Sequence, residues 1–332
     1  MKKIICALIL LPTIANAQTF DYSIQAKSLY GYSTQDNKSH LPTNLDLNLS
    51  YTYDITTFYL DINTAFDKAN KDYNQGSWGE EFYAIIDTET KGQFQIGQMY
   101  NVAKQFYSGS QNELDYDISD FVTNSSWQRN NSITKFSTFN TTAINTDGVA
   151  PKISYITPEF YNSYLGFSYT PDSYNRRGLT NKEAKEGYIS SILNYQDWGA
   201  IDIETSLSYA YFEDLDKEYS ASIKFSYGNW SLMGGYRKSD SIGDNITIND
   251  GYRNATAYDI GFGYEIGPYK ALASYLNTKS NTFDYTEEIY SLNQSFQYNK
   301  YLDIYLIGAY TNYNNQENKE GYTFITGIKI NL

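Results

Sequence analysis

The chain has 332 residues, a formal net charge of −13 at pH 7 and 36 tyrosines. The acidic balance argues against a nucleic-acid-binding protein, because such proteins need clustered lysine and arginine side chains. After residue 17 no apolar run reaches the roughly 18 residues that a transmembrane helix requires, so that class of membrane protein is excluded. The mean hydropathy of −0.55 still permits a membrane β-barrel, since only alternate residues of its strands face lipid.

Residues 1–17 have the pattern of a secretory signal peptide. Two lysines follow the initiator methionine, an apolar run spans residues 4–11, and the small residues at 15–17 are typical of a cleavage site. The one cysteine of the chain, Cys6, lies inside this segment. We therefore expect residues 18–332 to form a single secreted domain without disulfides or thiol chemistry.

From residue 18 onward, apolar and polar residues alternate in segments of strand length. Leu45, Leu47 and Leu49, for example, are separated by aspartate and asparagine. This period of two is typical of strands with one face toward lipid and one toward water. Short connections, such as the one at 54–56, alternate with longer polar loops, as at the two ends of an outer-membrane barrel. The pattern predicts about 16 strands, at residues 21–32, 44–53, 58–63, 80–88, 93–99, 153–158, 163–170, 187–195, 201–211, 219–227, 230–238, 258–265, 269–278, 284–298, 302–310 and 321–332.

These strands predict an all-β fold: one closed, transmembrane, antiparallel β-barrel in the outer membrane. Closure pairs the sheet edges, which lipid could not satisfy. The large number of tyrosines suits aromatic girdles at the membrane boundary, because a tyrosine ring is apolar while its hydroxyl forms hydrogen bonds with water. A soluble secreted β-sandwich or β-helix is the alternative fold. The last strand, which ends at the apolar Leu332, favours the barrel.

The alternation fails between Gly97 and Thr146, and we interpret residues 100–146 as one long loop. A loop of this length without a pattern is unusual in a compact domain and is either functional or disordered. In a wide barrel such a loop can fold into the lumen and narrow it, so we expect this loop to determine which solutes pass through the pore. The expected constriction places loop carboxylates opposite basic side chains; its candidates are Glu113, Asp115, Asp117 and Asp120 with Lys27, Lys104 and Arg129.

Charged residues at the predicted inward positions of the strands are mostly acidic. Carboxylates that line a pore raise the local concentration of cations and repel anions. We therefore expect a weakly cation-selective pore; the other interpretation is that these charges only solvate the lumen. The predicted lumen-facing charges are Asp46, Asp61, Asp202, Glu204, Asp259, Glu265 and Asp303, with Lys27, Lys224 and Lys329 as the basic members.

Several short motifs resemble those of the general Gram-negative porins. They are Leu29-Tyr30-Gly31 in the opening strand, residues 92–97 before the long loop, residues 152–155 with Pro158, Phe160 and Gly166-Phe167 after it, and residues 261–264 with Gly267-Pro268 in a late hairpin. The resemblance implies a barrel of about 16 strands, usually a homotrimer, that passes small hydrophilic solutes by diffusion. It also implies outer-membrane lipid, lipopolysaccharide and the barrel-insertion machinery as partners.

Two positions depart from the family pattern. Gln98 stands where an arginine is common, which implies a weaker basic wall in the lumen. Leu332 stands at the end of the chain, where phenylalanine is usual, and Ile330 replaces another possible aromatic residue. The insertion machinery would therefore meet an altered terminal signal.

An outer-membrane hydrolase is the main enzymatic alternative, and the sequence argues against it. Barrel hydrolases use histidine as a base, but the only histidine, His40, lies in a predicted loop. The sequence has no nucleophile elbow, HExxH motif or Walker loop, so we expect no enzyme activity, no cofactor and no metal. Asp202 and Glu204 could act on sugars, but they lie two residues apart on one strand and fit lumen charge better.

A binding barrel is the second alternative: a sugar-type substrate-specific channel, or an adhesin or receptor without general pore activity. Inward tyrosines could stack on sugar rings, and Tyr301 and Tyr305 are predicted to face inward. Most other tyrosines lie at strand ends or on the lipid side, where a girdle explains them. We therefore expect small hydrophilic solutes and cations, and no nucleic acid, as partners of the pore.

Overall fold

The computed structural model describes residues 18–34, 38–40, 42–67, 81–88, 90–110, 142–144, 147–173, 186–213, 216–241, 254–280, 285–314 and 320–332. These residues form one sheet of seventeen strands and one short helix. In this part of the chain, no helix is long and apolar enough to cross a membrane. The elements are β1 Gln18–Ser33, β2 Lys38–His40, β3 Pro42–Tyr53, β4 Thr56–Asp67, β5 Glu81–Thr88, β6 Gly92–Met99, α1 Val102–Gln105, β7 Ala150–Ile156, β8 Ser163–Thr170, β9 Gly187–Asp197, β10 Ile201–Phe212, β11 Asp216–Tyr227, β12 Trp230–Ser241, β13 Ala255–Ile266, β14 Tyr269–Ser280, β15 Tyr285–Asn299, β16 Leu302–Asn314 and β17 Glu320–Asn331.

The sheet closes on itself. Each strand from β3 to β17 is antiparallel to the next, and β1 pairs with β3 on one side and with β17 on the other. The short β2 adds three residues against the end of β1, so it contributes little to the wall. The result is a closed, antiparallel barrel of 16 strands, which confirms the predicted fold class. His40, predicted in a loop, lies in β2.

Alternate residues of each strand face opposite sides of the wall, as the period of two predicts. On β13, for example, Tyr258, Ile260 and Phe262 are exposed on the outer face. Asp259 and Gly261 lie between them and are buried on the inner face. Because directly opposed residues of antiparallel neighbours share a face, the register extends this assignment around the barrel.

A row of tyrosines crosses five neighbouring strands on the outer face. Consecutive rings in this row have centroids 4.8 to 6.2 Å apart. Hydroxyls in the row donate to glutamates toward the strand ends, as Tyr310 does to Glu320 at 2.6 Å. Apolar rings with hydrogen-bonded hydroxyls are what an aromatic girdle at a membrane boundary requires. The row consists of Tyr258, Tyr275, Tyr290, Tyr310 and Tyr322.

Apart from this row, a pair of tyrosines lies where the chain enters β9. Tyr188 and Tyr169 both donate their hydroxyls to the carboxylate of Glu186, which directly precedes the strand. These two hydrogen bonds, that from Tyr188 first, lower the pKa of Glu186 below its ordinary value. The carboxylate therefore stays charged at this rim and keeps both rings in place.

An arginine on the outer face should destabilise the barrel much more than one on the inner face. Leu292 of β15 is exposed on the outer face, and its neighbour Ser291 faces inward. We expect Leu292→Arg to lower the free energy of unfolding by about 2–4 kcal/mol, the range for arginine at the bilayer midplane. Ser291→Arg should have a much smaller effect. Urea unfolding from lipid vesicles measures both, and equal losses would contradict the assignment of faces.

Candidate functional site

The chain turns inward directly after β6. Asn101 caps α1: its side-chain oxygen accepts from the Lys104 amide at 2.9 Å, as asparagine does at helix starts. Its side-chain nitrogen donates to Asp147 at 2.6 Å. Val102 and Ala103 then pack against inward-facing apolar residues of β9 and β10, so the helix lies against the inner wall. The apolar residues in this cluster are Val102, Ala103, Ile144, Ile189, Ala210 and Phe212.

After α1 the chain runs along the inner wall from β10 to β13. The Ser108 amide donates to Ser222 at 2.9 Å, and the Ser108 hydroxyl donates to Glu204 at 3.2 Å. Two residues later, the Ser110 amide donates to Asp259 at 3.0 Å. We call residues 101–110 the entry stem. Its hydrogen bonds reach three strands of the wall, β10, β11 and β13.

The chain returns to the same stretch of wall at residues 142–144, which we call the return stem. The Ser220 hydroxyl of β11 donates to the Thr142 carbonyl at 2.7 Å. The guanidinium of Arg237 donates to the Ala143 carbonyl at 2.8 Å. Residues 111–141, between the stems, lie outside the described residues. The two stems therefore lie together on β11 to β13.

Three glycines of the wall make room for the stems. A Cβ added at Gly235 would lie within 3.0 Å of oxygens of Thr142 and Tyr107. One added at Gly261 would lie 2.5 Å from the Cβ of Ser110, and one at Gly166 would lie 2.8 Å from the Cβ of Val102. At these positions the wall carries no side chain because the stems occupy that space.

Two buried ion pairs lie beside the stems. Arg237 and Glu218 are 2.7 Å apart, and Lys152 and Asp147 are 3.0 Å apart, with all four side chains at most 3% exposed. Lys152 also donates to the carbonyls of Met99 and Gly148. Neither basic residue was among the predicted lumen charges. Alternation could have indicated both, since Ile153 and Tyr236 beside them face outward.

The structure places the predicted lumen charges on the inner face, with differing surroundings. Asp259 and Glu204 accept hydrogen bonds from the entry stem. Glu265 forms an exposed ion pair with Lys270 at 2.9 Å. Asp46, Asp61, Asp202 and Lys224 also fall on inward register positions, and so do Asp303 and Lys329, which lie opposite each other. The predicted set is thus divided between residues that hold the stems and residues that line the wall.

Most of the predicted constriction residues lie outside the described residues. These are Glu113, Asp115, Asp117, Asp120 and Arg129. Lys27 occupies an inward position of β1, opposite Lys329. Lys104 lies in α1, is 7% exposed, and has its ammonium nitrogen 5.8 Å from the ring centre of Tyr107.

A second part of the inner wall, on β4 and β5, combines carboxylates with aromatic rings. Asp61 lies directly opposite Glu81. In the next row Tyr59 and Tyr83 are opposite each other, with ring centroids 5.1 Å apart, and the Tyr59 hydroxyl donates to Asn48 at 3.1 Å. Sequence reasoning missed Glu81, Tyr59 and Tyr83, although the alternation with Phe58 and Phe82 outward could have indicated them.

Two expectations about single residues need correction or detail. Gln98 lies opposite Phe82, whose side chain is exposed on the outer face, so residue 98 does not report on the basic character of the lumen. Tyr305 is buried on the inner face, as predicted, but Tyr301 lies in the turn before β16 and is half exposed. Among the described side chains, no group of three acidic, histidine or cysteine residues is arranged to hold a metal ion.

Comparison with known proteins agrees with this architecture. A family model described as Gram-negative porin matches residues 5–316. No curated protein matches the chain.

Solved structures with the same fold include several outer-membrane proteins. An anion-selective porin from Comamonas acidovorans has a TM-score of 0.64 at 13% sequence identity, over 95% of this chain and 100% of its own. The trimer form of OmpT from Vibrio cholerae has a TM-score of 0.64 at 12% identity, over 96% and 100%. OpdK from Pseudomonas aeruginosa, solved with vanillate, has a TM-score of 0.52 at 9% identity, over 94% and 99%. At these identities the likeness shows the fold alone.

Removing one partner of the Arg237–Glu218 pair should cost stability, because the other charge is left buried without compensation. We expect Glu218→Met to lower the free energy of unfolding by about 3–5 kcal/mol. The double variant Glu218→Met, Arg237→Met should recover much of that loss, since no buried charge remains. Urea unfolding of the refolded barrel measures both variants. A single variant as stable as the wild type would show that the pair is solvated.

Proposed function

The chain belongs to the Gram-negative porin family, and on that premise we propose that its barrel forms a water-filled pore that passes small hydrophilic solutes and ions by passive diffusion and weakly favours cations. The observation that carries the proposal is a closed barrel whose inner wall bears serine pairs and charged side chains, with the described stems bonded along one side of it. A channel, rather than an enzyme, is what this arrangement supports.

Paired serines on the inner face support the water-filled lumen. Serines opposite each other on neighbouring strands share hydrogen bonds of 2.6 or 2.7 Å, so the wall presents hydroxyls toward the interior. Six of these eight serines are buried, but all lie on the inner face, which is the polar face of a water-filled membrane barrel. The four serine pairs are Ser154–Ser168, Ser191–Ser208, Ser206–Ser222 and Ser274–Ser291.

The position of the stems supports a narrowed lumen. The stems lie on β8 to β13, and we propose that the segment between them, residues 111–141, narrows the pore from that side. The strands across the barrel from the stems are β1 and β3 to β6. In this proposal the loop carboxylates Glu113, Asp115, Asp117 and Asp120 line the constriction, with Lys27, Lys104 and Arg129 as the basic side chains near it.

The arrangement of charges supports a cation preference. Five basic side chains at inward positions of the wall each lie beside a carboxylate. Asp61 and Glu81 also face inward and lie opposite each other, so their negative fields add. One neighbour in fold is named as anion-selective, so the sign of selectivity follows from side chains and not from the barrel. The basic residues and their acidic neighbours are Lys152 with Asp147, Arg237 with Glu218, Lys270 with Glu265, Lys224 with Glu204, and Lys329 with Asp303.

Membership of the porin family places the barrel in the outer membrane. We also propose a homotrimer, because one structure of the same fold is described as a trimer form. Residues 1–17 act in this proposal as a signal peptide, and 18–332 as a single barrel domain. Outer-membrane lipid, lipopolysaccharide and the barrel-insertion machinery are the proposed partners, and no cofactor is required.

A substrate-specific, sugar-type channel is the second candidate. The observation that favours it is the pair Tyr59 and Tyr83 on the inner wall across the barrel from the stems, with rings 5.1 Å apart. Aromatic faces of this kind could stack on the apolar face of a sugar ring. Saturable block of the conductance by one sugar, lost in Tyr83→Ala, would favour this candidate, and no block by any sugar tested would count against it.

The charge of Asp61 and Glu81 should set part of the cation preference. We expect Asp61→Asn, Glu81→Gln to lower the potassium-to-chloride permeability ratio by roughly a factor of two or more, because two lumen charges are removed. The matched control is Glu288→Gln, Glu320→Gln, which removes two carboxylates that bond outer-face tyrosines. Reversal potentials in planar bilayers under a potassium chloride gradient measure both.

The control should keep the wild-type reversal potential. An equal shift in both double variants would mean that net charge, and not the lumen wall, sets the selectivity. Neutralising Glu113, Asp115 and Asp117 together tests the loop carboxylates in the same assay.

A further inference from the structure

We propose that Asp259 is the positioning residue of this pore: its carboxylate clasps the entry stem and the return stem together against β13. This inference deepens the proposed function and rests on it for its effect on conduction. It also changes the role expected for Asp259, which sequence reasoning placed among the charges that attract cations.

Both oxygens of the Asp259 carboxylate are occupied by donors from the stems. Oδ1 accepts from the amide of Ser110 at 3.0 Å and from its hydroxyl at 2.5 Å. Oδ2 accepts from the phenol of Tyr107 at 2.7 Å and from the hydroxyl of Thr142. An ionised carboxylate has about four acceptor sites, so these four donors use its capacity.

The clasp is shielded from the lumen. Asp259 is 5% exposed, and Tyr107, Ser110 and Thr142 are between 0% and 4% exposed. Burial, and then the Asp259 carboxylate, raise the pKa of Tyr107 well above its ordinary value, so its phenol remains a donor. A buried carboxylate whose acceptor sites are filled contributes less to the field in the pore than an inward carboxylate beside the open lumen.

One carboxylate holds both ends of the segment. Ser110 and Thr142 are separated along the chain by residues 111–141, yet they meet at Asp259. The serine hydrogen bonds described above each hold a single stem: Ser222 bonds the entry stem, and Ser220 bonds the return stem. Loss of the Asp259 carboxylate should therefore loosen both stems at once, whereas loss of either serine bond should loosen one.

Gly235 offers a way to open the clasp without changing charge. A Cβ at this position would come within 3.0 Å of the Thr142 hydroxyl, the Tyr107 phenol and Asp259 Oδ2. The neighbouring Gly234 is the matched control, because a Cβ there would meet only ordinary contacts, 3.6 Å from the Asp259 carbonyl and 3.8 Å from Ile223. Gly234→Ala and Gly235→Ala thus make the same chemical change on opposite faces of β12.

The test combines amide hydrogen exchange with single-channel recording on the refolded full chain. We expect Asp259→Asn and Gly235→Ala each to speed exchange roughly tenfold or more in peptides from both stems, because amides there open more often. Gly234→Ala should leave both stems as in the wild type. In planar bilayers the first two variants should show altered conductance with greater open-channel noise, and an unchanged reversal potential.

Three results would overturn the proposal. Faster exchange in only one stem, or in neither, would show that Asp259 does not hold both. A shifted reversal potential in Asp259→Asn with unchanged stem exchange would make Asp259 a selectivity charge. If Gly235→Ala fails to fold, Thr142→Val replaces it, and unchanged exchange in the return stem would then count against the clasp. A wild type that does not conduct would sink the proposed pore, while the exchange data would still decide the clasp.

Discussion

The constraint on which the whole structure depends is the pairing of backbone groups in a medium without water. An unpaired amide or carbonyl in hydrocarbon costs several kcal/mol, so a sheet in the membrane cannot keep an open edge. Pairing of β1 with β17 removes that edge. Once the barrel is closed, strand parity alone decides which side chains face lipid and which face the interior. The outer tyrosine row and the inner serine pairs are both consequences of this parity.

The inner wall of the closed barrel has two parts with different side-chain contacts. On β8 to β13 the inner wall receives the two stems, and Gly235, Ser222 and Asp259 there contact them. On β4 and β5 the inner wall carries Asp61 and Glu81 opposite each other. The same residue type therefore has two roles, and the difference lies in what packs against it. In our proposals, a carboxylate that accepts hydrogen bonds from the stems positions them, and one on the wall beside the lumen attracts cations.

Most of the barrel could be predicted from the sequence, because alternation is a local pattern. The strand β8, Ser163–Thr170, was predicted at its observed bounds, and most others differ only by a few residues at their ends. The inward positions of Asp46, Asp61 and Asp259 followed from the same pattern. The role of Asp259 did not, because its donors lie 117 to 152 positions away along the chain. Alternation indicates the face that a residue occupies and carries no information on what crosses that face.

The central claim is that this barrel is an open, acidic pore, and single-channel recording of the refolded protein in planar bilayers tests it most directly. Under a potassium chloride gradient, the account predicts stepwise conductance and a reversal potential that favours potassium. A folded, heat-modifiable barrel without conductance would contradict the pore, and a reversal potential that favours chloride would contradict the acidic wall.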